Sequence, residues 1–239
     1  MSNFVYPRVC IASYNRPEGL RDKTLAFLQR ECYPRERINI FVASEDQSQL
    51  YQHVCGDYNY VIGVLGLVQQ RTYISDWLDE DEIYVSLDDD VTGVKGKPFL
   101  ELIRNAVAML QTRRAGLYGV LPKDDARCFK DDTTEHLSFI VGAFFIARNH
   151  KDLRHQGASE TEDYERTMMY FIRYGAIFRF RGAGVQTKYL GTSGGNVGLG
   201  DRKAAAVRFL LDKYPNLCSY RDKKGSPDLL LNWRYIPRQ

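Results

Sequence analysis

Short apolar runs alternate with amphipathic stretches along the first half of the chain. The runs rich in Val, Ile and Tyr, which predict buried strands, cover residues 4–12, 38–43, 61–65 and 83–87. Between them, apolar residues recur at helical spacing over residues 20–28 and 69–78. Strands that alternate with helices at this spacing predict a mostly parallel sheet covered by helices, which is an α/β fold.

The second half continues this pattern less regularly. It predicts helices at residues 99–110, from 159 onward and at 203–214, a short strand at 118–120, and a buried strand or strand pair at 139–147. Ser159 and Glu162 have the spacing of a capping box. Residues 191–200 form a glycine-rich loop, and the tail from Ser219 has no clear period. Because no repeat or linker divides the sequence, we expect a single domain over residues 1–239.

Three consecutive carboxylates, Asp88, Asp89 and Asp90, directly follow the apolar run at 83–87. Adjacent like charges repel and are costly to bury without a partner. One explanation is a solvated turn, because Asp favours turns and Gly93 is close by. A second is a Mg²⁺ or Mn²⁺ site, since these cations prefer carboxylate oxygens and often share them with substrate phosphates. A third is a calcium loop, but the spaced ligand pattern of an EF-hand is absent. Side chains alternate in an extended segment, so we expect Asp88 and Asp90 to point to the same side.

Polar side chains follow three of the predicted strands. Ser13, Glu45 and Asp88 each lie just past the end of an apolar run. In open α/β sheets, ligands bind at the carboxyl ends of the strands. We therefore expect these three residues to converge on one edge of the sheet.

Composition indicates a soluble globular protein, and charge is distributed unevenly. No apolar run approaches the roughly 20 residues that span a bilayer, and the N-terminus has no signal-peptide pattern. The five cysteines are scattered, which is typical of a reducing cytoplasm. Residues 166–239 contain 14 Lys and Arg against 4 Asp and Glu, a net charge of +10, whereas residues 1–165 contain 19 against 26, a net charge of −7. Either this asymmetry is an ordinary solvated surface, or the basic part meets a polyanion.

An ordered series of motifs resembles a known class of enzymes. The series consists of "VCIASYNRP" at residues 9–17, Glu45, Arg71, Asp88-x-Asp90, and the Glu162–Asp163 pair. It resembles the inverting nucleotide-sugar glycosyltransferases of GT-A fold, over residues 4–196. The resemblance implies a GT-A (Rossmann-like), mostly parallel sheet flanked by helices. It also implies a nucleotide-sugar-binding half at about 1–95 and an acceptor-binding half, with the basic tail, at about 96–239.

A narrower resemblance rests on five segments. They are "KTL" at 23–25, "GLVQQRTYI" at 66–74, "LDDDV" at 87–91, "GAFFIAR" at 142–148 and "TEDYERTMMYFIRYG" at 161–175. These segments look like the TET-associated glycosyltransferases encoded by bacteriophages, a family thought to glycosylate 5-hydroxymethylpyrimidines in phage DNA. The resemblance implies a sugar donor linked to a nucleotide, which we expect to be UDP, and host cytoplasm as the compartment.

The resemblance also implies roles for individual residues. A nucleotide sugar would contact Ala12, Ser13, Tyr14, Arg16, Glu45, Arg71, Asp88, Asp89, Gly194, Gly195 and Asn196. Asp90 would bind Mn²⁺ or Mg²⁺. The chain has no His after His155, so the late His ligand of many related enzymes is missing or replaced by Asn196 or water. Glu45 and Arg71 have the alternative interpretation of ordinary surface charges.

Asp163 is the predicted general base. An acceptor hydroxyl is a weak nucleophile and needs a base within hydrogen-bond reach. Asp163 would lie in the first turn of the helix near residue 159, where the macrodipole favours the ionised carboxylate. The alternative is that acids are common in first turns for this electrostatic reason alone. Glu162 is better explained by the capping box.

The sequence thus predicts a metal-dependent, inverting glycosyltransferase acting on DNA hydroxymethylpyrimidines, without an obligate protein partner. The aromatic side chains interleaved with the basic tail, Tyr214, Tyr220, Trp233 and Tyr235, favour a nucleic-acid acceptor. Other possible acceptors are a capsid glycan, a polysaccharide or a small molecule. Different classes that use similar residues are a nucleotidyltransferase and a non-catalytic nucleotide-binding or nucleic-acid-binding module.

Overall fold

The chain folds around one large sheet and a separate two-stranded ribbon. The structure, a computed structural model, describes residues 4–157, 159–188 and 199–235. The strands are β1 (Arg8–Ala12), β2 (Ile38–Val42), β3 (Asn59–Ile62), β4 (Ile83–Asp88), β5 (Val91–Lys95), β6 (Leu117–Leu121), β7 (Thr133–Thr134), β8 (Phe144–Arg148), β9 (Phe178–Thr187), β10 (Cys218–Lys223) and β11 (Ser226–Leu231). The helices are α1 (Pro17–Leu20), which continues through a π-helical turn (Arg21–Leu25) into α2 (Ala26–Arg30), then α3 (Glu45–Cys55), α4 (Leu67–Trp77), α5 (Phe99–Thr112), α6 (Glu162–Tyr174) and α7 (Leu199–Lys213).

The nine-stranded sheet has the order β3-β2-β1-β4-β8-β6-β9-β5, and β7 pairs with β9. Strands β1 to β4 are parallel, with Val9 opposite both Ile38 and Val85. Strand β8 is antiparallel to β4 and β6, while β9 is parallel to β6. Because β1 to β4, β6 and β9 run in the same direction, the sheet is mostly parallel, and the predicted α/β fold class is confirmed.

The central strands are buried on both faces, as the apolar runs predicted. Every residue of β2 is buried, and four of the six residues of β4 are. Helix α5 covers one face through Phe99, Ile103 and Leu110, which pack into the same core cluster as β1 and β4. Buried parallel strands read as continuous apolar runs, which is why periodicity located them well.

The sequence pattern missed several elements. Helix α3 was not predicted, because it buries only Gln47 and Tyr51 and so has almost no apolar stripe. The ten-residue strand β9 and short strand β5 were also missed, and β8 covers only the second half of the run at 139–147. Strand β9 begins with buried Phe178, but partly exposed Arg179 and Arg181 interrupt its first half, so it lacks the continuous apolar signature of β1 and β4.

The predicted capping box at Ser159 is wrong. Helix α6 begins at Glu162, and its N-cap is Thr161, which makes no side-chain capping hydrogen bond. The Glu162 side chain is buried and forms ion pairs inside the protein. Because the Glu162 carboxylate is paired with buried Arg71 and Arg166, it does not cap the start of α6.

The basic tail forms an antiparallel ribbon, β10–β11, for which the sequence predicted no element. Its two-residue turn has positive φ at Lys224 (57°) and Gly225 (77°), as a type I′ hairpin turn requires. Leu229, Leu231 and Cys218 pack against α7 and the core. No helix in the described part of the chain is both long and apolar enough to cross a membrane.

Candidate active site

The three consecutive carboxylates occupy a tight turn between β4 and β5. Asp88 is the last residue of β4, and β5 begins at Val91. Thr24 holds this turn closed, because its hydroxyl donates to the Asp88 carbonyl oxygen (2.7 Å) and accepts from the Val91 amide (3.0 Å). The Asp88 amide donates to the carbonyl of Ala143, directly before β8 (3.0 Å). The segment is therefore a turn, as one interpretation expected, but Asp89 and Asp90 are buried rather than solvated.

Asp89 connects the turn to the loop after β1. Its carboxylate accepts a hydrogen bond from the Ser13 hydroxyl (2.6 Å) and forms an ion pair with Arg16 (3.0 Å). The Tyr51 hydroxyl, on α3, contacts Ser13 (2.7 Å) and accepts from the Arg16 amide (2.9 Å). Burial raises the pKa of Asp89 to about 6, although Arg16 and Ser13 oppose this rise. The ends of β1 and β4 thus meet, as their parallel pairing requires.

Asp90 differs from its two neighbours because no cation in the described ranges forms an ion pair with it. Its residue is only 9% exposed, and among residues 4–157, 159–188 and 199–235 no other side chain hydrogen-bonds to its carboxylate. Burial, and then the charge of Asp88, raise the pKa of Asp90. A buried carboxylate beside another carboxylate is unfavourable unless a cation joins it. The turn therefore fits a hard divalent cation, for which Asp90 and Asp88 would supply oxygens.

Arg71 connects the carboxylate turn to the start of α6. Its guanidinium donates to Ser86 (3.0 Å), to Asp88 (3.0 Å) and to the Gly142 carbonyl (3.1 Å). Its Nε lies 3.3 Å from Glu162. Arg71 is buried, so it is not an ordinary surface charge. With these partners, the Arg71 side chain orients Asp88 and Glu162 and does not extend into solvent.

Glu162 and Asp163 are adjacent acids in very different surroundings. The Glu162 carboxylate receives a hydrogen bond from Arg166 (2.6 Å) and lies beside Arg71. Burial would raise the pKa of Glu162, but Arg166 and Arg71 outweigh it and lower that pKa. Asp163 is half-buried, and burial together with the charge of Glu162 raises its pKa to about 7. The expectation that the helix macrodipole keeps Asp163 fully ionised is therefore wrong, because these two effects are larger.

Gly142 allows the two sides of the site to approach each other. A Cβ atom at this position would lie 2.7 Å from a Glu162 oxygen, 3.4 Å from Arg71 Nη2 and 3.7 Å from Asp163 Cβ. The backbone before β8 therefore packs directly against the first turn of α6. Because Arg71 also bonds to Asp88, this contact links the first turn of α6 to the Asp88–Asp90 turn.

A second group of possible metal ligands lies at the opposite edge of the sheet. Oxygen and nitrogen atoms of Glu80, His150 and Asp152 lie within 4.8 Å of one another. Glu80 precedes β4, whereas Asp88 ends it, so this group is separated from the carboxylate turn by the length of that strand. His150 contacts Glu80 (2.7 Å), and Asp152 accepts from Arg173 (2.6 Å). These contacts explain the group as a hydrogen-bonded cluster.

Comparison with solved structures identifies the architecture. Glucosyl-3-phosphoglycerate synthase from Mycobacterium tuberculosis, in complex with Mn²⁺, UDP and glucosyl-3-phosphoglycerate, is similar with a TM-score of 0.55 and 13% identity, over 95% of this chain and 86% of that one. A complex of the same enzyme with Mn²⁺, UDP and phosphoglyceric acid gives 0.55 and 12% over the same shares. A further mycobacterial protein gives 0.56 and 11%, over 95% of this chain and 83% of that chain.

The chain has the GT-A fold. At these identities the likeness concerns the fold alone. No protein-family model and no curated protein matches the sequence.

Within this GT-A fold, the predicted donor residues occupy different positions around the carboxylate turn. Ala12 ends β1 directly opposite Asp88, and Tyr14, 48% exposed, follows Ser13. Glu45 is the exposed first residue of α3, whose N-cap is Ser44. Gly194, Gly195 and Asn196 lie outside the described residues.

Four residues have structural roles at the site that the sequence alone did not reveal. Thr24 and Tyr51 hold the turn and the β1 loop, while Arg166 and Glu162 flank Asp163. Thr24 and Arg166 lie within the segments "KTL" and "TEDYERTMMYFIRYG", so the resemblance contained a signal for them. The sequence contained no such signal for Tyr51, because the residue pattern of α3 does not distinguish Tyr51 from its neighbours.

Proposed function

We propose that this protein is a metal-dependent, inverting glycosyltransferase that uses a UDP-linked sugar. The observation that carries the proposal is the link that Arg71 makes between the carboxylate turn, which holds the buried Asp90, and the first turn of α6, where the pKa of Asp163 is raised to about 7. The first arrangement fits a Mn²⁺ or Mg²⁺ ion on a diphosphate. The second fits a general base, because a base works best with a pKa near the operating pH.

The residues suggest how the reaction would proceed. Ser13, Arg16 and Glu45 would contact the nucleotide at the ends of β1 and β2, and Asp88 and Asp89 would line the ribose and phosphate region. When bound, the divalent cation would neutralise charge on the diphosphate leaving group. Asp163 would take the proton from the acceptor hydroxyl as its oxygen attacks the anomeric carbon. Arg71 would hold Asp88 and Glu162 in place, so that the donor side and the base keep a fixed separation.

The acceptor that we propose is the hydroxyl of a 5-hydroxymethylpyrimidine in phage DNA, as in the phage TET-associated glycosyltransferases. Support comes from the positions of the segments that resemble that family. Thr24, Asp88–Asp90 and Glu162–Asp163, which belong to three of those segments, surround the site. The excess of positive charge in residues 166–239 is further support, because DNA is a polyanion. Such an enzyme would act in the cytoplasm of the infected host.

The proposal is tested by incubating the protein and Mn²⁺ with hydroxymethylated duplex DNA and a panel of nucleotide sugars. Mass spectrometry of the digested nucleosides should detect a glycosylated hydroxymethylpyrimidine, and excess chelator should abolish it. Sugar transfer to a small molecule or polysaccharide, with none to DNA, would contradict the DNA acceptor. Turnover with a nucleoside triphosphate instead of a nucleotide sugar would identify a nucleotidyltransferase.

A further inference from the structure

The ribbon β10–β11 presents a polar face toward α6 and α7. In an antiparallel pair, residues directly opposite each other project from the same face. Arg221 is opposite Asp228, and Lys223 is opposite Ser226, so these four side chains lie together. We call this group, with Lys203 of α7, the ribbon face. Lys203 joins it because its ammonium lies 3.3 Å from the Ser226 hydroxyl.

The ribbon face lies beside the proposed base. The Tyr164 hydroxyl donates to Asp228 (3.2 Å), and Tyr164 directly follows Asp163. Phe139 packs against the Tyr164 ring, with centroids 4.4 Å apart. One tyrosine side chain therefore separates the ribbon face from the first turn of α6. A group bound on this face would lie close to the hydroxyl that Asp163 deprotonates.

The ribbon face contains more positive than negative charge. Asp228 is its one carboxylate; Arg221 forms an ion pair with it, and the Lys223 ammonium is 3.9 Å away. Burial would raise the pKa of Asp228, but Arg221 outweighs it and lowers that pKa, so Asp228 is ionised. Three cations against one carboxylate leave an excess of two positive charges on this face.

The cations remain accessible to a ligand. The side chains of Arg221 and Lys223 are 41% and 66% exposed. The exposed part of Arg221 does not include its Nε atom, which is buried and has no hydrogen-bond partner in the described part of the chain. Lys223 and Lys203 are flexible point charges, and Arg221 offers a planar fork, a combination that suits phosphate oxygens.

We infer that the ribbon face binds a phosphate group of the acceptor and thereby positions the acceptor hydroxyl at Asp163. This inference rests on the proposed glycosyl transfer. The phosphate is either a backbone phosphate beside the modified base in DNA or a phosphate on a small acceptor. Both would be recognised by the same chemistry.

Two adjacent lysines provide a matched test. Lys223 belongs to the ribbon face, whereas Lys224 lies in the hairpin turn, so Lys223→Gln and Lys224→Gln remove the same charge one residue apart. Lys223→Gln and Lys203→Gln should each weaken binding of hydroxymethylated duplex about tenfold, and each should reduce the salt slope by about one. Lys224→Gln should change affinity less than about twofold. Equal effects at Lys223 and Lys224 would overturn the inference, because only general attraction would then operate.

Three further measurements separate the sources of phosphate and the two proposals. A duplex with a neutral methylphosphonate beside the modified base should bind wild type about tenfold more weakly and remove the difference between wild type and Lys223→Gln, if the backbone supplies the phosphate. If a small acceptor supplies it, inorganic phosphate should compete with wild type but not with Lys223→Gln, and the methylphosphonate should have no effect. If the methylphosphonate does not weaken binding and inorganic phosphate does not compete, the ribbon face does not bind phosphate. UDP release from the nucleotide sugar without acceptor tests the proposed function separately, and it should be equal in wild type and the turn variant Lys224→Gln. Absence of UDP release from wild type would contradict the proposed function instead, irrespective of the binding results.

Discussion

Asp163 owes its raised pKa first to burial and then to Glu162, the residue before it. The two carboxyl groups share one buried region, and Arg71 and Arg166 stabilise the charge on Glu162. Burial, and then the charge of Glu162, raise the pKa of Asp163 to about 7, although Arg166 and Arg71 oppose this rise. A proton then moves on and off this side chain near neutral pH.

Replacing Asp163 with Asn should lower turnover about 10²–10⁴-fold, which is the usual contribution of a general base. Nucleotide binding should remain, because Asp163 contacts neither Ser13 nor the Asp88–Asp90 turn by a hydrogen bond. The measurements are steady-state kinetics and calorimetric binding of UDP with Mn²⁺. Turnover at the wild-type rate would show that another carboxylate is the base.

The pH dependence of stability gives a second test of Asp163. Its pKa in the folded protein, about 7, is above the ordinary value of 3.8, so the folded state holds a proton that the unfolded state releases. The favourable contribution of this group is full below pH 4 and is lost as pH rises toward 7. Asp163→Asn should therefore unfold at a higher temperature than wild type at pH 8, with a smaller gain at pH 5. A gain independent of pH would contradict the raised pKa.

Two metal positions can be compared directly. Asp90→Asn should abolish binding of Mn²⁺ in the presence of UDP, because the turn then loses the carboxylate that no described cation pairs with. Asp152→Asn alters the other carboxylate cluster and should leave Mn²⁺ affinity unchanged. Electron paramagnetic resonance of free Mn²⁺ measures both. Loss of binding in Asp152→Asn alone would place the metal at the opposite edge of the sheet.

At the scale of elements, the site depends on the contact between the segment before β8 and the first turn of α6. Gly142→Ala would place a Cβ atom 2.7 Å from the Glu162 carboxylate, which its ion pairs with Arg71 and Arg166 hold in place. We expect a loss of about 1–3 kcal/mol in the free energy of unfolding, as for other overpacked sites. Turnover should fall at least tenfold, because a displaced Glu162 changes both the position and the pKa of Asp163.

Gly116→Ala is the control for this effect. Its Cβ would lie 2.3 Å from the Tyr174 ring, near the start of β6 and away from the carboxylate turn. A similar loss of stability is expected, with turnover per folded molecule close to wild type. Chemical denaturation and active-site titration measure the two quantities. If both variants lose turnover equally, the Gly142 contact affects the whole protein rather than the site.

At the scale of the whole molecule, folding neutralises much of the basic C-terminal part. Cations from residues 166–239 pair with acids from the first 165 residues, as in Arg166–Glu162, Arg173–Asp152, Arg181–Asp132 and Lys213–Glu165. The net charge of +10 in the sequence therefore overstates the charge that a polyanion meets. Lys203, Lys223 and Arg221 belong to the part that remains accessible.

This pairing predicts a moderate salt dependence of DNA binding. If about two to four phosphates are neutralised, affinity for hydroxymethylated duplex should fall about 10- to 100-fold between 50 and 200 mM salt. A protein that used all ten excess charges would lose far more. Fluorescence anisotropy over a salt series measures the slope. No binding at the lowest salt concentration would exclude DNA as the acceptor.

The sequence by itself determined the features that depend on local periodicity. Continuous apolar runs located β1, β2 and β4, and a 3.6-residue period located α5, because burial on both faces and burial on one helical face leave distinct patterns. Ser13 and Asp88 each follow one of those runs. Because parallel strands end at the same edge of a sheet, the sequence alone placed both residues at that edge. These inferences require no knowledge of which distant residues meet.

Tertiary structure decided which of the described carboxylates form ion pairs and which do not. Asp88, Asp89 and Asp90 are equivalent in sequence, but Arg71 reaches the first and Arg16 the second, while no described cation pairs with the third. Likewise, Glu162 and Asp163 are adjacent acids, but Arg71 and Arg166 form ion pairs with Glu162, whose pKa is lowered, whereas the pKa of Asp163 is raised. The pKa of a carboxyl group depends on burial and on charges within a few ångströms. Apart from Arg166, which lies one helical turn from Glu162, those charges come from distant segments, so only the folded chain brings them together.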